Sequence, residues 1–424
     1  MSLPNLAETN GTPFAAQPEL LIFRDRNLGS RYAGRKIPMT TLVDAYLDGA
    51  IDIPDTDAFL DARTSLVSFK LTRANYEFFL TRMVPEVIIH SKAQDERVAH
   101  EHYDRGDDFF AAFLDDRMVY TGAIFRTEGD TLEQGQENKL DVVCRKLMVR
   151  PGHEFLDLGC GWGALAIHAA KKFGARTTGI TNSKNHAEYA NSRIAQLNLA
   201  DGARVECLDY RDIPYKQYDR IASLEMVEHV GVKNLKKFFD QLYGLLKDSG
   251  MLLLQWTGLR RGGGQGLPII GMRQEDLVWS LFMNKYIFPG ADASLPLSDM
   301  VKPMEKAGFQ VHCVENTSIH YVLTLQRWHT NWQRNRDATL ARYGERWYRL
   351  WDLFLPWSWR IGVQGSCHAF QLTAFKNVDH FDRRVFIDRT NVTGDEVSRS
   401  NGTSPGDRPG YPVPQSLVTP PSAP

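Results

Sequence analysis

The stretch Glu154-Phe155-Leu156-Asp157-Leu158-Gly159-Cys160-Gly161-Trp162-Gly163 constrains this chain more than any other. An apolar run ends in glycines at alternate positions, and a helical pattern (Ala164, Leu165, Ile167, Ala169, Ala170) begins at once. That reads as a buried strand, a tight turn and a helix whose N-terminus is left open. Glycine lets the backbone approach a bound molecule and adopt φ/ψ values that other residues avoid. Unpaired N–H groups and the positive end of the helix dipole favour an anionic or polar ligand group there. Glycines so dense cost stability, and close approach of a ligand is the ordinary reason for them.

Downstream the pattern alternates. Strand 154–158 is followed by helix 162–173, strand 176–180, helix 184–197, strand 204–208, strand 218–224, helix 232–247 and strand 250–256. It resumes with helix 299–307 and strand 309–315 and closes with a strand near 367–375. Helices between short apolar strands imply crossover connections and a parallel α/β sheet, whose ligands sit at the carboxyl ends of the strands. Two ligands compete for the glycine loop. Gly159 to Ala164 satisfies the G-x-G-x-x-G/A dinucleotide pattern. Asp157, Gly159 and Gly161 satisfy E/D-x-G-x-G, the first motif of S-adenosylmethionine methyltransferases. The dinucleotide reading needs an acid about 20 residues on to hold a ribose. The second strand ends instead in Thr181-Asn182-Ser183, so S-adenosylmethionine is the favoured cofactor.

At 424 residues the chain exceeds one ordinary core, and two units are expected. Residues 1–19 read as disordered, 20–95 as a helical N-terminal module, 96–378 as the Rossmann-like sheet domain and 379–424 as a disordered tail. In the module, Thr40–Leu47 and Thr72–Val84 (Ala74, Phe78, Leu80, Met83) carry amphipathic patterns. Around 258–300 the alternation breaks for a glycine-rich run and Trp279, Phe282, Tyr286 and Phe288, the place for an aromatic substrate cap. A helical segment around 320–360 carries Tyr321, Trp328, Trp332, Tyr343, Trp347, Trp351 and Phe354. It is either a core-facing stripe or, with its arginines, a headgroup surface.

The net charge of −1 offers nothing to nucleic acid. No apolar run approaches the roughly 18 residues of a membrane span, and the polar start is no secretory signal. The five cysteines show neither metal spacing nor a disulfide framework. His100 and His102 beside acids invite a metal, but their spacing matches no helical H-x-x-x-H site, so no metal is expected. The expected location is cytoplasmic, with contact at a membrane surface.

Asp209 and Tyr210 follow the third strand, where a carboxylate can accept from an exocyclic amine and an aromatic ring can cover a purine. Ser223-Leu224-Glu225-Met226-Val227-Glu228-His229 ends the fourth strand and places acids and a histidine at the ligand edge. Glu228 and His229 are adjacent, so one of them is expected to point into the cleft. A carboxylate beside a sulfonium can orient the methyl donor, hold a proton or bind a hydrated anion.

Taken together, His102-Tyr103-Asp104 with Asp107 to Phe110, the glycine loop, Asp209 to Asp212, Glu228 to Gly231, Lys285 to Gly290 and His320-Tyr321 resemble the cyclopropane-fatty-acyl-phospholipid synthase and mycolic acid methyltransferase superfamily. Gln255, Gly258 to Arg260 and Phe282 to Ser294 make the fungal sphingolipid C9-methyltransferases the most similar branch. The resemblance implies a class I S-adenosylmethionine-dependent methyltransferase acting on a lipid or another hydrophobic small molecule. It places Tyr120, Thr121, Asp157, Gly159, Gly161, Thr181, Asn182, Asp209 and Tyr210 against the cofactor. It makes Glu228, Tyr321 and His229 catalytic, with Glu228 and Tyr321 where the cyclopropane synthases hold a bicarbonate base. Two positions depart: Gly122 stands where those synthases have a cysteine and Gln255 where they have a histidine. The anion site is therefore incomplete, and a methyl-branched product is expected in place of a cyclopropane. The C9-methyltransferases also resemble membrane proteins with N-terminal spanning helices, which this sequence does not show. C- or N-methylation of a polyketide, terpenoid or alkaloid stays open as an alternative. So does a cofactor- or lipid-binding scaffold without turnover.

Overall fold

The computed structural model describes residues 20–83, 106–260, 272–289 and 295–386. Seven strands form the central sheet: β1 Glu154–Leu158, β2 Arg176–Thr181, β3 Ala203–Cys207, β4 Tyr218–Leu224, β5 Leu246–Leu259, β6 Phe309–Asn316 and β7 Cys367–Lys376. Their order is β6-β7-β5-β4-β1-β2-β3. β1 to β5 are mutually parallel, as the alternation predicts. β7 runs antiparallel to both β5 and β6, so the sheet is mixed at this edge. Strand direction is a property of the connections, and local periodicity carries no record of it. Because β7 pairs along β5 from Met251 to Leu259, β5 extends beyond its expected 250–256.

β1 has β2 on one side and β4 on the other, so the strand order reverses there and opens a crevice at the carboxyl edge. The glycine loop leaves β1 into that crevice. The following helix α1, Ala164–Phe173, starts after Gly163 at φ 81°, which offers no side-chain cap, and the Ala166 N–H of its first turn goes to the Asp157 carboxyl.

The N-terminal module has helices at Arg26–Tyr32, Met39–Leu47, Thr56–Leu66 and Arg73–Phe78. It also has two ladders of two-residue strands, Ile22–Phe23 with Ile51–Asp52 and Ile37–Pro38 with Val67–Ser68, so it is not purely helical. Within the expected 72–84, Arg73–Phe78 forms a helix continued by a π turn at Phe79–Met83, but from 73 to 82 no residue is buried: Tyr76 is 55% exposed and Leu80 65%.

The aromatic stripe faces the core. Helices α2 Ser318–Arg334 and α3 Glu345–Val363 bury Trp328, Trp332, Trp351 and Trp357 in one cluster with Leu42 and Phe59 of the module and with Phe109, Phe110 and Phe113. Arg360 of α3 pairs with Asp57 at 2.8 Å and Asp61 at 2.7 Å, and Arg349 pairs with Asp52 at 2.7 Å. These contacts join the module to the sheet domain, and the described residues up to Asp382 form one compact unit.

The described part of the expected cap is helix α4, Gln274–Phe282, with a π turn at Met283–Ile287. Arg63 of the module holds its Glu275 at 2.6 Å. Structure continues past the expected boundary at 379, for Phe381 is buried and stacks on Phe375 at 4.1 Å. Arg383–Phe386 is a 3-10 turn assigned to a second unit. The readings of 1–19, of His100 and His102, and of the tail from 387 on lie outside the described residues.

Candidate active site

A cavity of about 200 Å³ opens where the sheet order reverses. Tyr120, Thr121, Asp157, Gly159, Gly161, Thr181, Asn182, Tyr210 and His229 all line it. Gly159 has φ 71°, and a Cβ there would stand 2.6 Å from the Cβ of Met226. The loop is tied down by Asp107, whose Oδ1 accepts from Trp162 Nε1 and from Asn185 Nδ2, both at 2.7 Å. Asp107 belongs to the Asp-Asp-Phe-Phe run, and this bond explains why that run belongs with the glycine loop.

Asp157 is buried at the end of β1, and its Oδ2 has no hydrogen-bond partner. Burial pushes its pKa up to about 7, with the Lys139 charge opposing. Lys139 is itself fully buried, and burial brings it down to about 8 against the attraction of Glu225, Asp115 and Asp157. Its Nζ donates to Thr121 Oγ1 at 2.6 Å. An orphaned carboxylate oxygen in a glycine cradle is a site that lacks its donor, and a ligand with an amine or hydroxyls fits it.

Asp209 is not among the residues lining the cavity. Its carboxylate accepts from Arg211 Nη2 at 2.6 Å and Arg211 Nε at 2.7 Å, and from the Arg211 backbone at 2.8 Å. It shapes the turn Tyr210–Asp212 that places Tyr210 on the wall.

A second cavity, of about 110 Å³, is bounded by Glu228, Thr257, Trp279, Asn284, Tyr321, Trp328 and Phe354 among others. Tyr120, Glu225, His229 and Phe288 border both cavities. This shared wall is aromatic. The Tyr120 ring lies 5.3 Å from Trp328 and 6.1 Å from Phe288, and His229 lies 6.1 Å from Phe288.

Glu228 and His229 thus both reach a cavity, which adjacency alone did not predict. Glu228 Oε1 accepts from the Thr257 backbone at 2.7 Å and from Thr257 Oγ1 at 3.2 Å, while Oε2 has no partner. Burial, and then the charge of Glu225, push its pKa up to about 8, so Glu228 is protonated at neutral pH. Its folded pKa exceeds the ordinary 4.5, so the folded state binds this proton more tightly than the unfolded chain. The stability it contributes is full below pH 4.5 and is lost as pH rises to about 8. Turnover is expected to fall as pH passes through about 8, where ionised Glu228 would add a second charge beside Glu225. A Glu228→Gln variant should lose that limb of the pH–rate profile and hold its stability flat over the same range. An unchanged profile would remove Glu228 from the chemistry.

Glu225 was not singled out among the candidates from sequence, although it sits in the same acidic run. It is a non-glycine residue at φ 54°, and its Oε1 accepts from the Gly122 backbone at 2.8 Å and from Gln255 Nε2 at 2.7 Å. A Cβ on Gly122 would stand 2.7 Å from the Tyr321 ring and 3.4 Å from Glu225 Oε1. The two departures read from the sequence, Gly122 and Gln255, therefore both touch Glu225. Lys139 was also missed, because a lone lysine in an amphipathic helix gives no sign that it will be buried.

The fold and this site define a class I S-adenosylmethionine-dependent methyltransferase. The family described as mycolic acid cyclopropane synthetase matches residues 90–372, and the chain belongs to that family. It is similar to the sphingolipid C9-methyltransferase of Komagataella phaffii, with 42% identity over 409 residues, covering 93% of this chain and 82% of the relative. Sphingolipid C9-methyltransferase 2 of Gibberella zeae is 43% identical over 361 residues, covering 84% of this chain and 68% of the relative. Among solved structures, mycolic acid cyclopropane synthase CmaA1 complexed with SAH and CTAB superposes with a TM-score of 0.63 at 29% identity. That match covers 66% of this chain and 98% of CmaA1.

Proposed function

We propose that this protein transfers a methyl group to an alkene carbon of a sphingolipid chain, at C9, and yields a methyl-branched alkene. The observation that carries this reading is the wall shared by a glycine-cradled cavity and an aromatic-lined one. S-adenosylmethionine, held by Asp157, Gly159, Gly161, Thr181, Asn182 and Tyr210, supplies an electrophilic methyl group. An isolated alkene is a poor nucleophile, so the chain must hold it in line with that methyl. The rings of Tyr120, Phe288, Trp328 and Tyr321 suit a carbocation that develops at the neck. Glu228 and Tyr321, which both border the acceptor cavity, are read as catalytic, and His229 as positioning the donor side. The names of the relatives supply the acceptor class and the C9 position.

Reaching a lipid acceptor calls for contact with a membrane surface, from the cytoplasmic side on this reading. Among the described residues no helix is long and apolar enough to cross a membrane. The exposed Tyr76 and Leu80 are apolar groups available for surface contact. Labelled S-adenosylmethionine, incubated with vesicles of an unsaturated glucosylceramide, should yield a lipid heavier by one CH₂. No labelled lipid from protein that binds S-adenosylhomocysteine would reject the acceptor.

Asn284 supports an acceptor with a polar head. It lies in the π turn, is 4% exposed, borders the second cavity, and neither Nδ2 nor Oδ1 has a partner. A buried amide left unpaired costs about 1–3 kcal/mol, which an amide or hydroxyl of the bound lipid would offset. Asn284→Leu should therefore raise the unfolding free energy by roughly 1 kcal/mol. It should also raise the KM for the lipid about tenfold, with kcat little changed. Unaltered KM would assign Asn284 no part in recognition.

A further inference from the structure

We propose that Glu225 is the base that accepts the proton released after methyl transfer, a carboxylate that this chain supplies at the junction of its two cavities. The proposal rests on the alkene-methylation reading above. Among the described residues, Glu225 is the carboxylate that borders both cavities; Asp157 borders the first alone and Glu228 the second alone. The Gly122 N–H and the Gln255 amide both donate to Oε1, and the residue itself lines both cavities.

Burial raises Glu225 above the usual carboxylate range, and a set of donors opposes that rise. Gln255 Nε2 donates to Glu225, Gln371 Nε2 donates to Gln255 Oε1 at 2.8 Å, and Lys146 Nζ donates to Gln371 Oε1 at 2.7 Å. A lysine ammonium can only donate, so it fixes the direction of every amide in the chain. The relay therefore ends in an N–H aimed at Glu225 and favours its ionised form. Gln255, Gln371 and Lys146 are all buried, so water does not compete for these bonds. The Gly122 N–H and the Lys139 charge act in the same sense, against the burial that raises Glu225. Burial, and then the Glu225 charge, raise Glu228 to about 8. The backbone of Glu225 sits in the left-handed region, a cost that non-glycine residues accept where a side chain must be aimed.

The step balances without any further reagent. The alkene pair forms the new carbon–methyl bond as the methyl–sulfur pair stays on sulfur. The neighbouring chain carbon is left cationic. The C–H bond at the methylated carbon then breaks, its electron pair restores the double bond, and the proton goes to Glu225. One hydrogen has been replaced by methyl, and no ring forms. Glu225 returns the proton to water when the product leaves.

Three proteins test this: the parent, Glu225→Gln and Glu225→Gly. Glycine suits the φ of 54°, so the second variant should fold without strain. S-adenosylhomocysteine affinity should be retained in both variants. Branched-lipid formation should fall by roughly 10²–10⁴-fold in each. Added formate or acetate should restore turnover in Glu225→Gly and not in Glu225→Gln, whose amide still fills the space. Carbon-13 formate should bind saturably to Glu225→Gly loaded with S-adenosylhomocysteine and not to the parent. Variants that turn over at the parent rate, or a loss that carboxylates never rescue, would overturn the assignment. So would a glycine variant that captures no formate. If formate capture behaves as stated while the parent methylates no lipid, the acceptor reading has failed and the carboxylate site stands.

Discussion

Gly159→Ala is expected to abolish S-adenosylhomocysteine binding, and turnover with it, in a protein that still folds. Gly159 has φ 71°, where a Cβ costs about 1–2 kcal/mol. That Cβ would also meet Met226 Cβ at 2.6 Å and Cγ at 2.8 Å, closer than carbon atoms pack. Met226 lies between Glu225 and Glu228 in the chain, so relieving the clash moves the acidic wall as well as the glycine loop. Both displacements narrow the same cavity. We expect affinity to fall by at least about a hundredfold, roughly 2.7 kcal/mol, as measured by calorimetry. Gly152→Ala is the control: its φ is 79°, but a Cβ there meets nothing within 4 Å. It should share the backbone cost and keep the affinity. Equal losses in the two variants would show that backbone strain, not close approach, governs the loop.

The second large effect is expected at Trp351. It is fully buried on α3, and its ring lies 4.8 Å from Phe113, 5.2 Å from Phe109, 5.2 Å from Phe354 and 5.9 Å from Trp332. Such a ring cannot be deleted without a cavity, because its neighbours come from several separate elements and cannot collapse together. Trp351→Ala should cost about 3–5 kcal/mol. The unfolding midpoint should drop by about 10 °C. Tyr120, 6.3 Å from Trp351, packs on the same cluster and lines the cofactor cavity. Cofactor affinity should therefore fall too, by a smaller factor than in Gly159→Ala. A variant with unchanged thermal stability would mean that the aromatic cluster is not the element that binds the module to the sheet domain.

Much of the architecture was legible in the residues. The sheet strands were readable because a strand buried on both faces is short and mostly apolar, as with Phe155, Leu156 and Leu158. The glycine loop was readable because an unusual backbone demands an unusual residue. The antiparallel β7 was not, since the residues of a ten-residue strand do not record the direction in which it pairs. The helix at 72–83 shows the converse: its apolar spacing promised a buried face, and Tyr76 and Leu80 are exposed.

For the site, residue types and chain order were enough to propose the cofactor-binding positions, because those positions follow from one loop and the ends of consecutive strands. Sequence also marked Gly122 and Gln255 as departures from the pattern it resembles. Why they depart was decided in three dimensions. Gly122, Gln255 and Tyr321 lie far apart in the chain and meet around Glu225, and Lys146 reaches it through two amides. Which carboxylate holds a proton and which stays charged depends on burial and on the direction of donors. Those are properties of packed surroundings, and no order of residues along a chain expresses them.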